Sequence, residues 1–135
     1  MFKTAVILAL IAVLANQADA ESAMHMKINE VPVSVEWEDN ETVKALTEKL
    51  PISVKMSMYG RFEQVGSLGR SLPRNDKRIT THAGDIVLYS GNQIVVFYGS
   101  NTWAYTKLGR ITGKTQSELA DLLGKSDAVI TISRQ

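Results

Sequence analysis

Apolar and polar residues alternate in several segments of the chain, as they do in strands that bury one face. The alternation is clearest at 31–37 and at 52–58. Two continuous apolar runs, 85–89 and 94–98, are joined by Gly91-Asn92, which indicates a tight hairpin because glycine readily takes a positive φ angle. Three further segments complete a set of seven predicted strands: 26–28, 103–111 and 128–132.

The first of two predicted helices lies just before Pro51, which ends it. Either Asp39 or Asn40 can cap its N-terminus, because a short side-chain oxygen there can accept from a free backbone N–H. Its apolar positions share one helical face: Val43, Leu46 and Leu50.

The second predicted helix has stronger boundary signals. Thr115-x-x-Glu118 is a capping box, and Gly124 stands where a left-handed residue often ends a helix. Three leucines between them form the apolar face: Leu119, Leu122 and Leu123.

A long connection, 59–84, separates the third predicted strand from the central hairpin. It is rich in glycine and charged residues, and a connection this long in a small domain is usually functional or mobile. Strands and helices in this order predict a mainly β fold with two helices, a closed or nearly closed β-barrel with the helices capping its ends.

The N-terminus has the features of a secretory signal peptide. Lys3 precedes an uncharged apolar run, 5–15, and Ala18-Asp19-Ala20 fits a signal-peptidase site. The run is shorter than the roughly 20 residues that cross a bilayer, although an uncleaved anchor or a core helix is the alternative. We therefore expect cleavage after Ala20, a periplasmic or secreted product, and one mature domain over 21–135.

Composition excludes several classes of function. The chain has 15 basic and 14 acidic side chains, and this near neutrality argues against a nucleic-acid partner. The absence of Cys excludes thiolate nucleophiles, disulfides and a lipid-anchored cysteine, so we expect no stable membrane anchor. Met24-His25-Met26 is similar to a soft-metal tract, but Met26 also begins a strand, so we expect neither a metal nor a cofactor.

Two long segments resemble a known family. They are MSMYGRFEQVGSLGRSLPRND at 56–76 and ITTHAGDIVLYSGNQIVVFYGSNTWAYTKLGRI at 79–111, and the most specific pieces are GSLGRSLPRND and GDIVLYSGNQ. Both are similar to the bacterial cyclophilin-like domain family, and the resemblance covers nearly all of 26–133. It implies a small barrel related in fold to cyclophilins.

The resemblance to true prolyl isomerases is only partial. Cyclophilins polarise the prolyl amide with an Arg, and several residues separate this Arg from a Phe of the proline pocket. Here Arg61 and Phe62 are adjacent, and neighbouring side chains on a strand point to opposite faces. Ile94 and Val95 replace two pocket phenylalanines, and Tyr105 falls near the position of a pocket His. Arg61 remains the candidate catalytic residue.

Five residues are the candidate ligand contacts suggested by this resemblance: Arg61, Phe62, Gln64, Trp103 and Tyr105. Each has a structural alternative, namely solvation or an ion pair for Arg61, loop stabilisation for Gln64 and core packing for the aromatic rings. We expect a monomeric, non-catalytic module that binds a peptide or small molecule. The alternative is a weak peptidyl-prolyl isomerase that acts on exported proteins.

Overall fold

Ten strands and two helices form the part of the chain that this computed structural model describes, residues 24–134. The strands are β1 (His25–Ile28), β2 (Val31–Trp37), β3 (Ile52–Lys55), β4 (Ser57–Tyr59), β5 (Glu63–Ser67), β6 (Lys77–Thr80), β7 (Asp85–Tyr89), β8 (Gln93–Phe97), β9 (Thr102–Thr112) and β10 (Val129–Ser133). The helices are α1 (Glu41–Thr47) and α2 (Gln116–Leu123). Within the described residues, no helix is long and apolar enough to cross a membrane. The predicted signal peptide, 1–20, lies outside them.

The strands form one antiparallel sheet in the order β3-β10-β1-β2-β9-β7-β8-β5-β4, with β6 beside β9. The long strand β9 organises this sheet because it has three partners along its length. It pairs with β6 at 102–105, with β7 at 106–110 and with β2 at 109–112.

The sheet does not close into a barrel, which corrects the closed or nearly closed barrel expected from the sequence. Its edge strands β3 and β4 follow each other in the chain, and only Met56 lies between them. The outer edge of β5 is used by β4, in a hairpin that pairs Tyr59 with Glu63, while β3 pairs with β10. One stretch, 52–59, thus supplies both edges of the sheet, and it cannot pair with itself.

Six of the seven predicted strands are confirmed to within one residue at each end. The seventh, 52–58, divides into β3 and β4. The predicted connection 59–84 also contains two strands, β5 and β6. The sequence of β5, Glu-Gln-Val-Gly-Ser, has a weak strand propensity, but pairing with both β4 and β8 overrides it.

Both predicted helices are present, but the first ends at Thr47, so Leu50 is not on its apolar face and Pro51 does not end it. Asn40 caps α1, and its side-chain oxygen accepts from the Val43 N–H at 2.8 Å. Thr115 and Glu118 form the predicted capping box of α2. The predicted left-handed residue after α2 is wrong, because Gly124 has a φ of −103°. Glycine is needed there for space, since a Cβ atom would lie 2.8 Å from a carbonyl oxygen and 3.1 Å from the Tyr98 ring.

Both faces of the central hairpin, β7 and β8, are buried. Ile86, Leu88, Ile94 and Val96 point into the main core, where they meet both helices and β1, β3 and β10. The alternate residues point to the other face and form a second apolar cluster, which consists of Val87, Val95, Phe97 and Tyr105. This second cluster lies under the candidate site.

Candidate ligand-binding cleft

An open cleft of about 1000 Å³ lies over the second cluster, between the β4–β5 hairpin and the N-terminal part of β9. Its walls come from five strands, β4, β5, β7, β8 and β9, and from the turns next to them. The residues that line it are Ser57, Met58, Tyr59, Gly60, Phe62, Glu63, Val65, Tyr89, Gln93, Asn101, Trp103 and Tyr105.

Strand register explains why the lining residues of β5 face the cleft. Glu63 is opposite Tyr59 on one side and Phe97 on the other, and Val65 is opposite Val95. Because side chains alternate between faces with a period of two, these residues share one face of the sheet. The intervening Gln64 must therefore point to the main core.

Aromatic rings form most of the cleft walls. Tyr59 and Phe62 meet edge to face with centroids 6.2 Å apart, and Tyr105 lies 6.1 Å from Tyr89. Tyr59 is 65% exposed and Trp103 is 51% exposed, whereas Tyr105 is only 3% exposed. The cleft thus has a buried aromatic floor and a rim of accessible rings, a composition typical of binding surfaces.

Glu63 is the buried charged residue of this cleft. It is 6% exposed, and no residue of the described chain forms a hydrogen bond with its carboxyl group. Burial raises the pKa of Glu63 from 4.5 to about 7, because the charged form loses hydration. The group therefore changes its charge near neutral pH.

The Tyr105 hydroxyl is a second polar group of the cleft. It accepts a hydrogen bond from the Asn101 side-chain amide at 2.8 Å. Burial is the main cause that raises the pKa of Tyr105, and the negative charge of Glu63 adds to it, while the bond from Asn101 opposes it. The hydroxyl therefore keeps its proton and can donate a hydrogen bond to a bound molecule.

A family model described as the Cyclophilin-like family matches residues 26–133. The chain belongs to this cyclophilin-like family. Its fold is similar to the solution structure of a hypothetical protein from Archaeoglobus fulgidus, with a TM-score of 0.63 and 20% sequence identity. That match covers 83% of this chain and 93% of the archaeal one. A search of curated proteins found no match.

The cleft of this cyclophilin-like protein contains three of the five sequence-predicted contacts: Phe62, Trp103 and Tyr105. Arg61 is exposed in the turn before β5 and is not among the lining residues. Gln64 is fully buried in the main core, where its side-chain nitrogen donates to Leu123 O and Ser126 O, each at 2.7 Å. Its oxygen accepts from the Ala128 N–H at 3.2 Å. Gln64 therefore joins β5 to the segment after α2 and does not reach the cleft.

The sequence analysis missed three cleft residues: Glu63, Tyr59 and Tyr89. The signal that could have found them is the uninterrupted apolar character of β7 and β8, because a strand apolar on both faces needs cover on both faces. The helices cover one face only. The face that the helices leave uncovered therefore indicates a second apolar cluster, and the polar residues at the edge of that cluster are candidates for the site.

The methionines of the N-terminal tract have a structural role. Met24 and Met26 are buried in the main core, and His25 between them is exposed. Among residues 24–134, no three His, Asp or Glu side chains cluster in a way that could hold a metal ion.

Proposed function

We propose that this cyclophilin-like protein is a non-catalytic binding module whose cleft holds a small molecule or a side chain of a peptide. One observation carries the proposal: the cleft combines aromatic walls with the carboxyl group of the mostly buried Glu63, which has no hydrogen-bond partner among residues 24–134. A mostly apolar concavity with a few convergent polar groups is the usual form of a ligand site.

The edge of β4 favours binding inside the cleft over extension of the sheet. A peptide that adds a strand needs free backbone groups on the exposed edge. The outward N–H of Met58, in the middle of β4, already donates to Asp127 Oδ1 at 3.0 Å. We therefore expect ligand affinity to come from groups inserted between the rings.

The alternative, a weak prolyl isomerase, has less support. Isomerase catalysis needs a donor that stabilises the twisted amide more than the planar one. Among the described residues that line the cleft there is no arginine, and Arg61 lies outside it. The cleft can hold a ligand without this donor.

A matched pair of serine variants tests the proposal. Ser57 lies on edge strand β4 and lines the cleft, whereas Ser53 lies on the other edge strand, β3, and does not; both are exposed. Aromatic fragments are screened by NMR against the protein, with Ser57→Trp to fill the cleft and Ser53→Trp as the control.

We expect fragment-induced shifts at Tyr59 and Trp103 that Ser57→Trp removes and Ser53→Trp retains. Shifts elsewhere that neither variant changes would place binding outside the cleft. A complete lack of fragment binding would also contradict the proposed function.

Export is the second part of the proposal. It is supported by the Ala18-Asp19-Ala20 sequence after a short apolar run. N-terminal sequencing of the product from a periplasmic or culture fraction should give Glu21 as its first residue. A product that retains Met1 and stays in the membrane fraction would contradict it.

A further inference from the structure

The charge inside the cleft has one sign. Of the twelve described residues that line it, Glu63 alone carries a side chain that is ionised near neutral pH, and Lys, Arg and His are absent from that set. Two cations of β6 lie near the cleft: Lys77 pairs in register with Tyr105, and the Arg78 guanidinium lies 6.0 Å from the Trp103 ring centroid. Arg61 lies in the turn between the lining residues Gly60 and Phe62 and is exposed. The described lining of the cleft therefore contains one acidic group and no basic group.

A carboxylate in a mostly buried residue loses part of its hydration, and for Glu63 no hydrogen bond within the described chain offsets this loss, although its oxygens still reach the open cleft. A bound cation would offset this cost directly, since an opposite charge within a few ångströms favours the ionised form.

The aromatic walls suit the same kind of ligand. Cations are attracted to the faces of Trp, Tyr and Phe rings, and cages of such rings are the usual site for quaternary ammonium groups. Tyr59, Phe62 and Trp103 form accessible walls, and Tyr105 with Tyr89 closes the floor. Trp103 already holds one cation in this way, since Arg78 lies over its ring.

We infer that the ligand of this cleft carries an organic cation, an amine or quaternary ammonium group that sits against the Glu63 carboxylate between the aromatic rings. The inference rests on the proposed function, because it concerns the same cleft. A neutral ligand whose carbonyl oxygen accepts a hydrogen bond from Glu63 would instead need the protonated carboxyl group.

The pH dependence of binding distinguishes these two ligands. The pKa of Glu63 is about 7, so raising the pH from about 6 to about 8 increases its ionised fraction about tenfold. The titratable groups of the described lining that share the cleft with it are Tyr59 from β4, Tyr89 from β7 and Tyr105 from β9. β8 adds no titratable group, and the basic groups nearby are Lys77 and Arg78 of β6 and Arg61 in the turn before β5.

Choline and its uncharged isostere, in which a carbon atom replaces the nitrogen (dimethylbutanol), are the probes. Each is titrated into the protein by NMR at about pH 6 and about pH 8. We expect choline to bind about tenfold more tightly at the higher pH and to exceed the isostere there by at least that factor. Glu63→Gln should remove the pH dependence and most of the preference, while Glu36→Gln, at an exposed glutamate of β2, should keep both.

Trp103→Ala provides a second test, because this half-exposed residue can be removed without opening the core. It should weaken choline severalfold and leave the pH dependence intact. Equal binding of both probes, choline affinity that falls as pH rises, or no choline binding would each overturn the inference. The proposed function would survive all three results, since the aromatic-fragment screen with Ser57→Trp tests it separately.

Discussion

Glu63 and Gln64 are consecutive residues of β5 whose side chains point to opposite faces of the sheet. Glu63 enters the cleft without a hydrogen-bond partner in the described chain, whereas Gln64 forms three hydrogen bonds with the segment 123–128. The same strand thus provides a group that faces the cleft and a structural anchor. Substitutions at these neighbouring positions should separate binding from stability.

Gln64→Ala should lower the free energy of unfolding by about 3–5 kcal/mol. The substitution leaves two carbonyl oxygens and one N–H without their partners in a buried place, and it also opens a cavity. Urea denaturation measures the change. Gln116→Ala, at an exposed position in α2, is the control and should stay within about 0.5 kcal/mol of wild type. Equal effects at the two positions would contradict the anchoring role of Gln64.

Stability should fall as the pH rises from about 4.5 to about 7, and Glu63 should be the cause. Its pKa is 4.5 when unperturbed and about 7 in the folded protein, so the folded state holds the proton more tightly. The stabilisation is therefore complete below pH 4.5 and is lost as the pH rises through 7. Relative to Glu63→Gln, wild type should lose about 2–3 kcal/mol of unfolding free energy between pH 4.5 and about pH 7, with little further change at higher pH. Parallel stability curves for the two proteins would contradict this assignment.

The second helix should depend more on its two buried leucines than on its cap. Thr115→Ala removes one side of the capping box and should cost about 1 kcal/mol. Leu123 is fully buried, and Leu123→Ala should cost roughly 2–5 kcal/mol. Leu122 is only half-buried, so Leu122→Ala should lie between these values. Denaturant melts of the three variants give the order of the losses in unfolding free energy. A larger loss for Leu122→Ala than for Leu123→Ala would contradict the observed orientation of the helix.

Local patterns were sufficient for much of the fold. Period-two alternation located β2, the Gly91-Asn92 turn located the central hairpin, and Thr115 with Glu118 located the start of α2. Each of these signals acts over a few residues and does not depend on contacts with distant parts of the chain. The open sheet could not be predicted in this way, because it depends on which strand takes the outer edge of β5.

Only the aromatic residues of the candidate cleft could be predicted from the sequence. Phe62, Trp103 and Tyr105 line the cleft, but the resemblance to cyclophilins also proposed Gln64, which belongs to the core. The face to which a residue points depends on strand register, and 59–84 was interpreted as a connection without strands. Because 63–67 forms strand β5, Glu63 faces the cleft and Gln64 faces the core.

The domain should show little prolyl isomerase activity, and Arg61→Ala should not change what remains. The barrier to cis/trans rotation is about 18–20 kcal/mol, and each tenfold acceleration needs about 1.4 kcal/mol of stabilisation specific to the transition state. A cyclophilin-type site obtains this from an arginine beside the proline pocket. Here Phe62 lines the cleft while the adjacent Arg61 is exposed outside it.

A coupled assay on short Xaa-Pro peptides measures this directly, with wild type, Arg61→Ala and, as the control, Arg70→Ala at another exposed arginine. All three rates should lie close to that of the uncatalysed reaction. Strong wild-type catalysis that is lost in Arg61→Ala and kept in Arg70→Ala would require Arg61 to reach the bound amide. The guanidinium would then have to fold over the cleft rim, and the cleft would be an active site and not only a binding site.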